Sequence, residues 1–533
     1  MKKILKIYLL PILMILAVSS CKKSFEDLTK NPNVPLSVPA SLLFNGVENS
    51  MVDLPDGQNE IWCQYYIYNY NYYGNNTYDF GSGNDYYTTL KNVVDMETQA
   101  AASGGAAINP YEALGKFFRA YLFSKMSLER GDIPMTQALQ GLTNLTPKYD
   151  TQKAVMIQSL AWLESANSDL AQLIQKPSLG GTGLGSTLGG DIFFGNDLTK
   201  WQKTVNALHI RLLLQLSKKV ISDPDMNVIS QFASIVGNPN TYPLMQSSAD
   251  NLQYVFVAPS NFYPQNPDNF GQNGSRQNSS QTYIGLLTQL QDPRVYVTAE
   301  PARYNVDSLH QSPTAFTSFI GADPGLDLGV MYNNAGLQKY SFINRKHYYS
   351  TYTGEPSIQI GYPELMFNIA EGINRGWATG DAEAYYVAGI QASMAYYSIP
   401  NTGVFTAYFY RPGSSDVKAA SNYDTYTINT DWTTYYAQPK IKYTSGATGL
   451  TQILQQKYLA LFRHSGLESY FTFRRTGVPT FTTGPGTDNG QRIAWRFQYP
   501  SSERTANTTN YNAALASQYG GNDDINGVMW LLK

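Results

Sequence analysis

Apolar side chains recur every three or four positions over long stretches of this chain, a period that fills one stripe of a helix and does not suit a strand. Between Tyr111 and Arg130 the stripe is Leu114, Phe117, Phe118, Tyr121, Leu122 and Met126, and Gly131-Asp132-Ile133-Pro134 follows as a stop. A second amphipathic helix is predicted from the N-cap residue Thr151 to Ile174, with Val155, Leu160, Leu163, Ala166 and Leu170 inward. A third, Thr199–Lys219, carries Trp201, Val205, Leu208, Leu212 and Leu216. The same pattern predicts helices over Leu42–Met51, Tyr362–Arg375, Ala382–Tyr397 and Thr451–Tyr470. They come in pairs joined by turns, so the predicted fold class is mainly α, built of stacked helical hairpins. Residues 240–360 change character, with many Asn, Ser, Gly and Pro and brief strand-like runs such as Leu252–Val257. That is a loop-rich lobe, where binding surfaces usually sit. The Gly-rich run Gly180–Gly190 lacks the spacing and the Lys-Ser/Thr ending of a phosphate loop and reads as a flexible connector. Residues 475–533 read as irregular.

The amino end is of another kind. Lys2, Lys3 and Lys6 precede an apolar run from Ile7 to Val18, then Ser19, Ser20 and Cys21. A basic start, a short apolar core and small residues before a cut make residues 1–20 a secretion signal. The run is interrupted by Pro11 and is too short to span a bilayer. Val18-Ser19-Ser20-Cys21 resembles the lipobox of bacterial lipoproteins, which makes Cys21 the lipidated first residue of the mature chain. Residues 21–40, with Pro32, Pro35 and Pro39, read as an extended tether, and 41–533 as one large domain with its loop-rich insertion. Cys63 is then the only other cysteine, so disulfides play no part within the mature chain.

A net charge of −2 argues against a nucleic-acid partner, since no excess of phosphate-neutralising charge is present. Charged residues make up 15% of the chain and aromatics 13%, with 41 tyrosines. Tyrosine joins a flat apolar face to a hydroxyl, which suits polar, uncharged ligands. The densest run is Trp62–Phe80, where Tyr65, Tyr66, Tyr68, Tyr70, Tyr72, Tyr73 and Tyr78 are separated by Asn69, Asn71, Asn75 and Asn76.

Eight short segments in order, behind the lipobox, resemble the SusD/RagB-like surface lipoproteins of Bacteroidetes nutrient-uptake systems, in their starch-binding-associated branch. They are Phe25-Glu26-Asp27-Leu28 with Asn31-Pro32-Asn33-Val34-Pro35; Gly131-Asp132-Ile133-Pro134 with Ala138-Leu139; and Pro147-Lys148-Tyr149-Asp150. Trp201-Gln202-Lys203, Asn206-Ala207-Leu208 and Arg211-Leu212 match a family helix, with Ala207 replacing the usual serine. Asp292-Pro293-Arg294 follows, then Glu364, Ala370-Glu371 and Arg375-Gly376-Trp377. Phe473-Arg474-Arg475-Thr476-Gly477-Val478-Pro479 and Arg496–Glu503 with Asn507 and Asn510 complete the set. Read physically, these motifs are structural, with Arg474-Arg475 suited to partly buried ion pairs with Glu371 or Glu364.

The resemblance implies a tetratricopeptide-like helical scaffold and a non-enzymatic role. It implies a surface-exposed outer-membrane lipoprotein, anchored by Cys21, that acts as lid and capture subunit of a SusC-like TonB-dependent barrel and passes it a nutrient, usually a glycan. Glycans are held by aromatic platforms aided by hydrogen-bonding side chains, and the expected ligand-binding residues are Tyr70, Tyr72, Tyr73, Asn75 and Tyr78. The alternation of Tyr66, Tyr68, Tyr70 and Tyr72 equally describes one buried strand face. Phe262-Tyr263 and His347-Tyr348-Tyr349 are secondary candidates.

Two other classes compete. A secreted glycoside hydrolase needs two carboxyl groups across the scissile bond, and Glu364 and Glu371, two helical turns apart, share one face. A periplasmic helical scaffold that binds only proteins would need no small ligand. Nucleophile-elbow and H-E-x-x-H motifs are absent from the sequence, and His209, His310, His347 and His464 lie too far apart for a familiar metal motif, so no cofactor or metal is implied.

Overall fold

The computed structural model describes residues 37–533, apart from the side chains of Gln272 and Asn273. The signal, Cys21 and nearly all of the tether lie outside the described residues. Among those described, no helix is long and apolar enough to cross a membrane.

The scaffold is a stack of helices: α1 (Ala40–Ser50), α2 (Tyr87–Ala102), α3 (Pro110–Arg130), α4 (Gln152–Gln175), α5 (Leu198–Gln215), α6 (Val228–Gly237), α7 (Tyr362–Asn374), α8 (Ala382–Tyr396), α9 (Ala447–Ala460), α10 (Glu468–Thr476) and α11 (Thr508–Tyr519). Each packs on the next through α5, α7 closes on α5, and α8 and α9 close on α7. Local chemistry sets the ends. The Asn109 side chain accepts from the N–H groups of Tyr111 and Glu112 with Pro110 at the first position, and Gly131 closes α3 at φ 96°. Thr151 caps α4 through Ala154 N–H, and Asp197 caps α5 through those of Thr199 and Lys200. The chain is mainly helical, as its periodicity predicts.

The structure corrects several sequence expectations. The predicted helix Thr451–Tyr470 is two helices, broken where Arg463, Ser465 and Gly466 take positive φ. That turn carries the Arg463 side chain inward, to 1% exposure. Helix α2 escapes the periodic reading, and α11 lies in a tail read as irregular, where only Tyr511, Ala514 and Leu515 of the helix are buried. The six strands among the described residues form three separate antiparallel pairs: β1 (Tyr66–Tyr68) with β3 (Gln277–Ser279), β2 (Leu252–Tyr254) with β4 (Ser357–Ile360), and the unforeseen hairpin β5 (Thr402–Tyr410) with β6 (Tyr423–Asp431). The hairpin is in register from Thr402 opposite Asp431 to Tyr410 opposite Tyr423.

Several of the eight family-like segments form structural joints. Asp132 accepts from Gln152 N–H at 2.7 Å, and Asp150 accepts from those of Met135 and Thr136 at 2.8 Å, so the turn after α3 is tied to the start of α4. The Tyr499 hydroxyl adds the tail by donating to the Asp132 carbonyl. Trp201 Nε1 donates to Asp191 at 2.9 Å. Arg475 does pair with Glu371, alongside Arg375, whereas Glu364 is held by Arg211 of α5. Arg474 instead donates to the carbonyls of Trp495 and Leu128, both at 2.6 Å. Burial raises a carboxyl pKa, but Arg475 and Arg375 outweigh it and hold Glu371 down to about 2.

A second buried charge centre behaves oppositely. Burial pushes the Glu60 carboxyl up to about 7, although Arg463 lies 3.4 Å away and opposes it. Folding therefore takes up a proton at Glu60 between its unfolded value of 4.5 and about 7, so rising pH costs stability across that window. In Glu60→Gln chains this contribution, about 3 kcal/mol, is absent. Urea unfolding at pH 5 and pH 7.5 should show the pH dependence of the parent flattened in the variant; equal slopes would refute it.

Candidate functional site

The tyrosine-rich run divides sharply between core and surface. Tyr65, Tyr66 and Tyr78 are buried at 1%, 0% and 1% exposure. Tyr65 stacks on Tyr458 at 4.7 Å and donates to its carbonyl, and Tyr78 donates to the Trp62 carbonyl at 2.9 Å. Burial raises all three phenol pKa values well above the ordinary one. Tyr78, expected as a ligand contact, is thus a core residue with no face left for a ligand. Asn75 is exposed, but its Oδ1 accepts from the N–H and hydroxyl of Thr77 and so shapes the turn.

Between those anchors the exposed Tyr70 and Tyr72 and the half-buried Tyr73 lie on a loop pinched at its neck. Strand β1 pairs with β3, and the ladder is continued by Asn69 N–H donating to the Arg276 carbonyl. On the other side Asn76, 4% exposed, accepts from Tyr68 N–H and donates to the Tyr68 carbonyl, both at 2.8 Å. One side chain thereby substitutes for a strand neighbour. Gly74 lies over the Tyr68 ring, where a Cβ would come within 2.2 Å of a ring carbon.

Tyr70 is the hub of the ring cluster. Its ring centroid lies 6.5 Å from Tyr72, 6.1 Å from Tyr73 and 5.4 Å from Tyr332, and Tyr72 meets Tyr73 edge-on at 5.1 Å. The Arg276 guanidinium sits 5.2 Å from the Tyr70 centroid and 5.8 Å from that of Tyr73. Tyr72 is 81% exposed and Tyr332, from the helix Leu328–Gly336, 44%. Such a patch offers flat apolar faces, phenol hydroxyls and one cation. Sequence reasoning missed Tyr332 and Arg276, because only folding of the loop-rich lobe brings them to the run. Of the secondary candidates, Tyr263, Tyr348 and Tyr349 are buried, and Phe262 rests on Tyr352 at 4.7 Å.

Asn76→Ala strips the loop neck of both hydrogen bonds and leaves the Tyr68 backbone groups unpaired, at a cost of about 1–3 kcal/mol. Chymotrypsin should then cut between Tyr70 and Tyr73 far faster than in the parent chain, as read by mass spectrometry of the fragments. Parental resistance would mean that the neck is held by other contacts.

The carboxylates considered for hydrolysis are not available to a substrate. Glu364 and Glu371 are 3% and 0% exposed, and each is engaged by arginine. Among the described residues no group of three or more His, Cys, Asp or Glu is arranged to hold a metal ion.

Residues 32–500 match the model of a family described as SusD-like, starch-binding and associating with the outer membrane. The chain belongs to the SusD-like family. A SusD homologue from Bacteroides fragilis is similar to it at 29% identity, with 93% of this chain and 100% of that one covered and a TM-score of 0.77. A second B. fragilis SusD homologue has 28% identity, the same coverage and a TM-score of 0.74. A chitin-binding SusD homologue from Flavobacterium johnsoniae shares the fold, with a TM-score of 0.68 at 19% identity over 93% of this chain and 98% of that one. The comparison with curated proteins finds no match. The family that the ordered motifs resemble is thus the one whose model matches most of the chain, and the helical stack agrees with it.

Proposed function

We propose that this SusD-like protein is a surface-exposed glycan-binding lipoprotein that captures nutrient for a SusC-like TonB-dependent outer-membrane transporter and acts as its lid. Residue Cys21 carries the lipid, residues 21–40 form the tether, and 41–533 form the capture domain. One observation carries the reading: Tyr70, Tyr72, Tyr73 and Tyr332, with Arg276 behind them, form an open aromatic platform on a pinned loop. Sugar rings present flat faces of C–H groups that stack on such rings, while hydroxyls bond to phenols and guanidinium. The family's association with the outer membrane and the relatives named for SusD and chitin binding support the same reading. Binding without chemistry fits a chain whose paired glutamates are locked in ion pairs.

The test is affinity measurement against starch, chitin and other polysaccharides, oligosaccharides and peptides, with Tyr72→Ala and Tyr332→Ala in parallel. Binding of a glycan, weakened about tenfold by either change, is expected. Peptide binding alone would replace the glycan reading, and absence of a co-purifying barrel would remove the transporter role. Surface protease access on whole cells separates this reading from a periplasmic scaffold.

A further inference from the structure

A cleft of about 290 Å³ opens at the base of the β5–β6 hairpin and shares no residue with the tyrosine platform. Its wall is the half-buried Trp432, which leads the short helix Trp432–Tyr436, and its floor includes Tyr296 and Phe316, themselves 5.4 Å apart. The exposed side chains of Gln291, Asn401 and Asn429 line it and make no hydrogen bond within the protein among the described residues, nor does the Trp432 indole N–H.

The Trp432 wall is fixed from behind. Its ring stacks on Tyr436 at 5.3 Å and 13°. Tyr436 donates to Glu383 at 2.6 Å, and Tyr435 donates to Asp292 at 2.5 Å. Asp292 is fully buried and paired with Arg294 at 2.7 Å, and Arg294 in turn donates to Ser393 of α8. The Asp292-Pro293-Arg294 motif thus has a visible product: its ends bolt the Trp432 turn to the helical stack, and Pro293 lines the cleft between them. A rigid aromatic wall, an apolar floor and a rim of unpaired amides suit a neutral, polyhydroxylated ring, since such sites combine apolar contact with a few orienting polar groups. The volume suits one or two sugar units.

We infer that the Trp432 cleft is a second saccharide-binding subsite, separate from the tyrosine platform; only its ligand class rests on the glycan reading proposed above. Trp432 supplies the stacking face, and Gln291, Asn401 and Asn429 receive the hydroxyls.

The full-length chain in detergent, labelled with 5-fluorotryptophan, gives a ¹⁹F signal for Trp432, assigned through Trp432→Phe. It is titrated with maltohexaose, chitohexaose, xylohexaose and laminarihexaose at millimolar concentration. At least one sugar should shift the Trp432 signal, Asn429→Ala should weaken that response about tenfold, and Tyr72→Ala should leave its midpoint unchanged. A Trp432 signal that no sugar moves overturns the subsite, as does a response that disappears in Tyr72→Ala, which would report platform binding at a distance. A response at Trp432 without any effect of Tyr72→Ala on total binding keeps the subsite and removes the platform.

Discussion

A Glu371→Gln chain is expected to unfold at markedly lower urea, its stability reduced by about 3–5 kcal/mol. Glu371 is fully buried on α7 and accepts from Arg475 at 2.9 Å and from Arg375 at 2.9 Å. Glutamine keeps the volume but offers one acceptor oxygen and no charge. Arg475 cannot shed its proton, and with its side chain 1% exposed it cannot turn to water. Arg375, 24% exposed at its side chain, has that escape, so the loss falls on the Arg475 partnership. A double change, Glu371→Leu with Arg475→Met, should recover most of the stability, because a well-packed apolar pair replaces a buried ionic one at little cost. Chemical denaturation of the three chains decides the matter. A loss below about 1 kcal/mol in the single variant would show that the pair is not a structural lock.

The second large effect concerns Tyr70. It is less exposed than Tyr72, at 39% against 81%, yet it touches Tyr72, Tyr73, Tyr332 and Arg276. Tyr70→Ala should therefore weaken glycan binding more than Tyr72→Ala, by about 30-fold or more, since it removes one stacking face and frees its neighbours. Stability should change little, because the ring lies outside the core. The Tyr70→Ala/Tyr332→Ala double variant should lose less than the sum of the singles, as expected for groups in contact. Calorimetric titration with the glycan that binds best measures the parent, the three single variants and the double. Additive losses, or a Tyr70→Ala effect smaller than that of Tyr72→Ala, would mean that Tyr70 is only a neighbour of the binding surface.

Much of the scaffold was readable from the chain because α3, α4, α5, α7 and α8 bury broad apolar stripes whose period needs no knowledge of partners. Helix α11 was not, since a mere three of its side chains are buried and its sequence is largely polar. The break between α9 and α10 was hidden because Leu459, Leu461, Phe462 and Leu467 are all buried and preserve an apolar run through a non-helical turn. The tyrosine run was visible as a candidate, yet spacing could not separate Tyr78, pinned to Trp62, from Tyr72, open to solvent. That distinction depends on a tertiary partner. Tyr332 and Arg276 carry no local signature at all, and the Trp432 cleft was equally silent.

The rings of the platform come from two stretches of chain that meet only in the fold, the Tyr70–Tyr73 loop and the helix bearing Tyr332. Anything that bridges Tyr72 and Tyr332 acts as a reversible crosslink between them. Occupancy would then be felt mechanically as well as chemically: the β1–β3 ladder and the Leu328–Gly336 helix would be clamped together, and amide hydrogen exchange would slow in both at once.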